Sequence, residues 1–247
     1  MWKMTALDAH KDVFTAAGNG AIICGLAMDV EETPLIMTHF ITMRTKKIIA
    51  SIAMKKYVKK HSREEHMDRK DTTKFLSKLL VEQKLGKRGT YWAREVSIDY
   101  GTRNVKRVDF MQFEPKGVIY QSDIEKGIFI CYEVKSCRED VFSGNGLNFI
   151  GEKNYIVTTM ECYKDIQPDM RSGKLWKHIE ECCPGSSAHY GIIVPVPVFT
   201  DPVDEYENPT KLDGDIPWDL KVVYPCNQGS RNRSMTELLF CMLRSGH

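Results

Sequence analysis

The sequence contains no apolar run approaching the roughly 20 residues that a membrane-spanning helix needs; Ala21–Met28 is far too short. None of its eight cysteines forms a CxxC, and His61, His66, His178 and His189 form no HxH or HExxH, so zinc chemistry has little support. The Gly-rich segments Gly18-Asn19-Gly20 and Gly144-Asn145-Gly146 are not phosphate loops, and GxxxxGKS/T is absent, which argues against ATP use. There are no internal repeats. Nor does a signal peptide stand at the start, since Met1-Trp2-Lys3-Met4 leads into mixed polar sequence. The expectation is a soluble, cytoplasmic chain with no membrane partner, its cysteines buried as free thiols.

What is present is ordinary in bulk and uneven in detail. The 247 residues, 42% hydrophobic and 28% charged, suffice for one large core, with or without a small appendage. The net charge of +2 conceals an asymmetry: residues 41–90 hold fifteen Lys/Arg against five Asp/Glu. Residues 201–219 hold seven acids and one Lys. A basic segment beside a balanced body suits a polyanion, because neutralising phosphates releases counterions, although a solvated charged helix looks the same.

Residues 42–60 carry an apolar stripe (Ile48, Ile49, Ile52, Tyr57) among lysines at helical spacing. A second helix is expected after an N-cap at Asp71-Thr72-Thr73, with Phe75, Leu76, Leu79 and Leu80 on one face and Gly86 at its end. The period then changes to two. Tyr91–Asp99, Val105–Phe113 and Gly127–Lys135 read as an antiparallel meander of three strands. Asn154–Thr159 and Gly191–Val194 are further strands, with a helix over Lys174–Cys183 between them. Pro195, Pro197 and the acidic stretch to Trp218 read as an exposed loop, and Ser230–Arg244 as a closing amphipathic helix. The predicted architecture is α/β, a mixed central sheet flanked by helices.

Two of these strands carry charges where burial is expected. Arg107-Val108-Asp109-Phe110-Met111 places an acid on one apolar run, and Cys131-Tyr132-Glu133-Val134-Lys135 places an acid and a base on the next. On a strand Glu133 and Lys135 share a face, with Val134 on the other. Charges in such runs are expensive unless paired or bound to metal. Mg²⁺ prefers oxygen ligands and keeps several waters, so Asp109 and Glu133, with the Val134 carbonyl as a third oxygen, form a sufficient ligand set for Mg²⁺ or Mn²⁺. Lys135 is placed to act on the attacking water or to stabilise charge on a phosphate. A buried Asp–Lys or Glu–Lys ion pair is the competing explanation.

The order helix, three-strand meander, helix, strand, with Asp on the second strand and Glu-x-Lys on the third, resembles the PD-(D/E)xK nuclease superfamily over about residues 70–195. That superfamily has the restriction-endonuclease-like fold, and the run from Glu133 to Phe142 resembles small phage-borne and MmcB-like or VRR-NUC repair members. The resemblance implies a metal-dependent DNA endonuclease or exonuclease encoded by a phage or mobile element, with Asp109, Glu133 and Lys135 catalytic. It also implies a further acid, Glu95 on the first strand or Glu82 on the preceding helix, with Glu95 favoured. The expected domains are a basic N-terminal extension, residues 1–60, and a nuclease-like domain, residues 61–247. Candidate nucleic-acid contacts are Lys55, Lys56, Lys59, Lys60, Lys87, Arg88, Ser136 and Asn148. The alternative is an inactive protein of the same fold that binds nucleic acid, or blocks a protein partner through its acidic loop; a homodimer is also possible.

Overall fold

The structure is a computed structural model that describes residues 67–117, 120–184 and 189–245, together with the short strands β1 (Val13–Thr15) and β2 (Ile22–Cys24). The chain divides into two compact units, residues 1–50 and 51–247. In the first, β1 and β2 pair antiparallel. The stripe expected over residues 42–60 lies outside the described residues, as do Lys55, Lys56, Lys59 and Lys60.

The second unit is built on a six-stranded mixed sheet in sequential order: β3 (Tyr91–Ile98), β4 (Lys106–Glu114), β5 (Ile128–Val134), β6 (Lys153–Val157), β7 (Gly191–Pro197) and β8 (Trp218–Tyr224). The meander β3–β4–β5 is antiparallel, as its alternating pattern predicts. β5–β6 and β6–β7 are parallel, and β7–β8 is antiparallel. Parallel neighbours require crossovers. The β6–β7 crossover contains α4 (Met160–Arg171) and α5 (Lys174–Cys182). The β5–β6 crossover is shorter and contains only α3 (Arg138–Val141) and an irregular stretch.

Helices cover both faces of the sheet. On one, α1 (Arg69–Leu80) and the π-turn Val81–Leu85 bury Leu76, Leu80 and Leu85 against Phe110, Ile130, Tyr132 and Val134. Each such leucine contributes about 1.5–3 kcal/mol of transfer free energy. On the other, α7 (Met235–Ser245) sets Leu238, Cys241 and Met242 against Val96, Met111, Phe129 and Cys131. On that same face Ile166, Leu175 and Ile179 of α4 and α5, with Leu147 and Phe149 of the β5–β6 crossover, pack on Ile156, Ile192 and Val194. The crossover therefore lies over the face toward which the odd-numbered residues of β5 point.

Several sequence expectations need correction. The N-cap of α1 is Asp68, whose carboxylate accepts the Asp71 N–H at 2.7 Å, so the helix starts before the expected Asp71-Thr72-Thr73 cap. The polar stretch after Tyr120 contains a short helix, α2 (Gln121–Glu125). α4 was not anticipated, because Pro168 and the Asp/Lys/Gln content obscure Met160, Cys162 and Ile166. Residues 195–218 are not one exposed loop: Pro195 and Pro197 lie buried in β7, α6 (Pro202–Glu207) follows, and Trp218 opens β8 at 5% exposure. The prolines fit because β7 pairs with β6 only through Ile193, leaving that edge free of ladder bonds where the N–H groups are missing. Among the described residues no helix is long and apolar enough to cross a membrane, and the seven cysteines from Cys131 to Cys241 are free thiols.

Candidate active site

The site begins where two paired strands part. The β4–β5 ladder runs from Glu114↔Ile128 to Phe110↔Tyr132 and stops. The next two residues, Asp109 and Glu133, stand opposite one another on the face away from α1, since Phe110 and Tyr132 point toward it. The Asp109 carboxylate fills the fork, its Oδ2 accepting the Val134 N–H at 2.9 Å. A side chain thus satisfies a backbone donor that would otherwise lose its partner at the fork. Across the sheet, Glu95 adopts φ +54°, and the β3–β4 register has no pair at Glu95 and Asp109.

Glu133 is fully buried and Lys135 is 5% exposed, while Asp109 is half-buried. Glu133 Oε1 accepts the Asn148 N–H at 3.3 Å, whereas Glu133 Oε2 has no hydrogen-bond partner. Lys135 Nζ donates to the Asn145 carbonyl at 2.6 Å and lies 3.9 Å from Asp140 Oδ1. The main chain of Lys135 is pinned by its N–H to the Val157 carbonyl and by Thr158 Oγ1 to its own carbonyl, at 2.9 and 2.7 Å. Strand β6 therefore fixes where the lysine stem leaves the sheet.

Burial, then the charge of Asp109, raises the Glu133 carboxyl to about 8, against the opposing Lys135 ammonium and the N–H groups of Asn148 and Leu147. Asp109 is also raised, chiefly by burial, with the Val134 N–H and Lys135 pulling the other way. Two facing carboxyl groups and a lysine are thus gathered in one buried cluster. Its unpartnered carboxylate oxygen is the kind of group a hard cation satisfies. Among the described residues no group of three or more His, Cys, Asp or Glu side chains is arranged for a metal; the oxygens here that could hold a cation are the Asp109 and Glu133 carboxylates and the Val134 carbonyl. That set fits Mg²⁺ or Mn²⁺, which use one or two carboxylates and complete the shell with water.

The other sequence candidates fall into different places. Glu95 forms an ion pair with Arg107, Oε2 to Nε at 2.7 Å, with both side chains more than half exposed. It reaches Asp109 only as a nearby negative charge. Glu82 is exposed beside Lys78, 3.9 Å away. Asn148 is buried, and its side-chain amide donates to the Arg107 carbonyl at 2.8 Å, so it braces the site from within. Ser136 is half-buried, its N–H and Oγ both donating to Asp140 Oδ2. Lys87 and Arg88 are exposed in the turn before β3.

Sequence reasoning did not find the cleft beside the lysine. An open groove of about 420 Å³ is lined by Arg69, Lys70, Thr73 and Lys74 of α1 and by Ser136, Glu139, Asp140 and Ser143. Asp140 belongs to both the groove and the surroundings of Lys135 Nζ. The cluster Asp68-Arg69-Lys70 was legible as charge, but its position opposite Ser136 depends on how α1 packs. No protein-family model, curated protein sequence or solved structure matches the chain.

Proposed function

We propose that this protein is a divalent-cation-dependent nuclease that hydrolyses phosphodiester bonds in DNA. Asp109 and Glu133 would hold the cation, with the Val134 carbonyl as a further oxygen, and Lys135 would act at the phosphate or the water. The observation that carries this reading is the unpartnered Glu133 Oε2, fully buried opposite Asp109 at the β4–β5 fork with Lys135 two residues on. A carboxylate kept there for stability alone would have its oxygens hydrogen-bonded.

When bound, Mg²⁺ or Mn²⁺ supplies Lewis-acid polarisation of a phosphate and a lowered pKa for water. The chain's own groups do the positioning. The Val134 N–H fixes the Asp109 carboxylate, and the Asn148 N–H fixes one oxygen of Glu133. Lys135, desolvated and held through its main chain by β6, offers an N–H donor to a phosphoryl oxygen as negative charge develops there. Arg69, Lys70 and Lys74 border the adjoining groove, where a phosphate backbone would be attracted.

A second reading, a non-catalytic protein of the same design that binds nucleic acid or a protein partner, is favoured by the burial of Glu133 and Lys135 beneath the β5–β6 crossover. The deciding experiment incubates the full chain with Mg²⁺ or Mn²⁺ and labelled duplex, single-stranded and branched DNA, with RNA alongside. The nuclease reading expects cleavage that EDTA stops and that Asp109→Ala, Glu133→Ala and Lys135→Ala each reduce by about 10²–10³-fold or more. Salt-sensitive binding with no cleavage of any substrate would replace it with the non-catalytic reading.

A further inference from the structure

The crossover from β5 to β6 passes directly over the two buried charges, and its tip is built differently from its base. Leu147, Asn148, Phe149 and Ile150 are buried, the first two with their N–H groups toward Glu133, whereas Ser143, Gly144 and Asn145 are exposed. Among the described residues the tip is shaped by local bonds: the Ser143 N–H and Oγ to the Asp140 carbonyl at 3.3 and 2.9 Å, and the Asn145 N–H to Ser143 Oγ at 3.3 Å. Its one bond into the site is the 2.6 Å contact between the Asn145 carbonyl and Lys135 Nζ.

Gly146 makes the closest approach. A Cβ there would stand 2.7 Å from Glu133 Oε2 and 2.7 Å from Lys135 Nζ, and its φ is +87°. Gly144, at φ +76°, has the same backbone latitude, but a Cβ on it would meet nothing within 4 Å. The main chain at Gly146 thus covers the carboxylate oxygen that lacks a partner, and the Asn145 carbonyl accepts one of the three N–H donors of Lys135 Nζ.

We propose that residues Ser143–Gly146 form an autoinhibitory lid over the Asp109–Glu133–Lys135 site, which lifts about its two glycines to admit cation and nucleic acid. This rests on the nuclease reading of that site. Lifting the tip uncovers Glu133 Oε2 and frees Lys135 Nζ, while the buried Asn148 N–H continues to hold Glu133 Oε1. The apparent cation affinity is then the intrinsic affinity reduced by the fraction of molecules with the lid open.

The test is amine acylation of the cation-free full chain, read residue by residue by mass spectrometry, combined with Mn²⁺ binding by calorimetry. Gly146→Ala, whose methyl group would crowd Glu133 Oε2 and Lys135 Nζ beneath the closed lid so that the tip or those side-chain ends must shift, should acylate at Lys135 about tenfold faster than wild type and bind Mn²⁺ correspondingly tighter. Gly144→Ala should stay within about threefold of wild type, because it shares the backbone strain and not the contact. A folded Gly146→Ala that acylates like wild type overturns the lid, as does an equal rise in Gly144→Ala. Should Gly146→Ala not fold, the wild-type chain decides: its Lys135 must acylate at least about tenfold more slowly than exposed Lys87, and residues 143–146 must exchange amide hydrogens faster than β5. Lys135 reacting as fast as Lys87 overturns the proposal. Acylation as expected with no Mn²⁺ bound by either form supports the lid and removes the nuclease reading instead.

Discussion

Glu133 on β5 and Glu152 in the bend just before β6 are both buried glutamates, yet the protein treats them in opposite ways. Glu152, 6% exposed, accepts the Phe129 N–H at 2.8 Å and forms a close ion pair with Arg231. Arg231 in turn reaches the Gly127 carbonyl and lies over the Phe129 ring, 5.8 Å from its centroid. Glu133, less exposed still, accepts the Asn148 N–H at 3.3 Å on Oε1 and leaves Oε2 without a hydrogen-bond partner. Asp169 and Glu205 side with Glu152: the first accepts two bonds from Arg138, the second takes the N–H and hydroxyl of Thr210. Among the described residues these three buried carboxylates are hydrogen-bonded at both oxygens or held by an ion pair, and Glu133 is the exception.

Substitutions should separate the two kinds of glutamate, beginning with the largest effect. Glu152→Ala leaves the Arg231 guanidinium and the Phe129 N–H without their partner, and should destabilise the chain by about 3–5 kcal/mol in a denaturant melt. Glu133→Gln should act in the opposite direction. The folded carboxyl titrates at about 8 against an ordinary value of 4.5. Between those values the folded state keeps a proton that the unfolded chain has lost, so stability falls as pH rises through this window and levels off above it. In EDTA at pH 9, Glu133→Gln should therefore be more stable than wild type by about 1–3 kcal/mol, and its stability should vary less between pH 5 and pH 8. A Glu133→Gln chain less stable than wild type at pH 9 would make Glu133 a second Glu152.

Smaller effects sharpen the same contrast. Asp169→Asn weakens a partly exposed two-bond pair with Arg138, which also lies over Phe142, and should cost about 1–2 kcal/mol by thermal melting. Glu95→Gln removes only a surface ion pair with Arg107 and should shift stability by no more than about 0.5 kcal/mol. If Glu95 were a cation ligand, that variant would lose cleavage as fully as Glu133→Gln; a change below about tenfold is expected.

Local pattern made the site's charges legible and left their surroundings hidden. Asp109, Glu133 and Lys135 stood out because each interrupts an apolar run of period two, and the meander followed from that period together with its turns. The fork between β4 and β5 did not, since the sequence does not say where a ladder stops. Gly146 lies thirteen residues after Glu133, and only the parallel crossover brings it onto the carboxylate. α4 and β8 escape a local reading: Pro168 and the polar residues around it blur the helical stripe Met160, Cys162, Ile166, and the acids before Trp218 mask the alternation Trp218, Leu220, Val222, Tyr224. Ser136 and Asn148, read as possible backbone contacts of a nucleic acid, are engaged inside the protein by Asp140 and by the Arg107 carbonyl.

Titration of the EDTA-stripped chain with Mn²⁺ by calorimetry at pH 8 tests most directly whether the bare oxygen of Glu133 is a cation ligand. The expected result is saturable binding that Glu133→Gln and Asp109→Ala each weaken by about 10–100-fold or abolish, and that Lys135→Ala retains. No binding by wild type, or equal binding by Glu133→Gln, would contradict it.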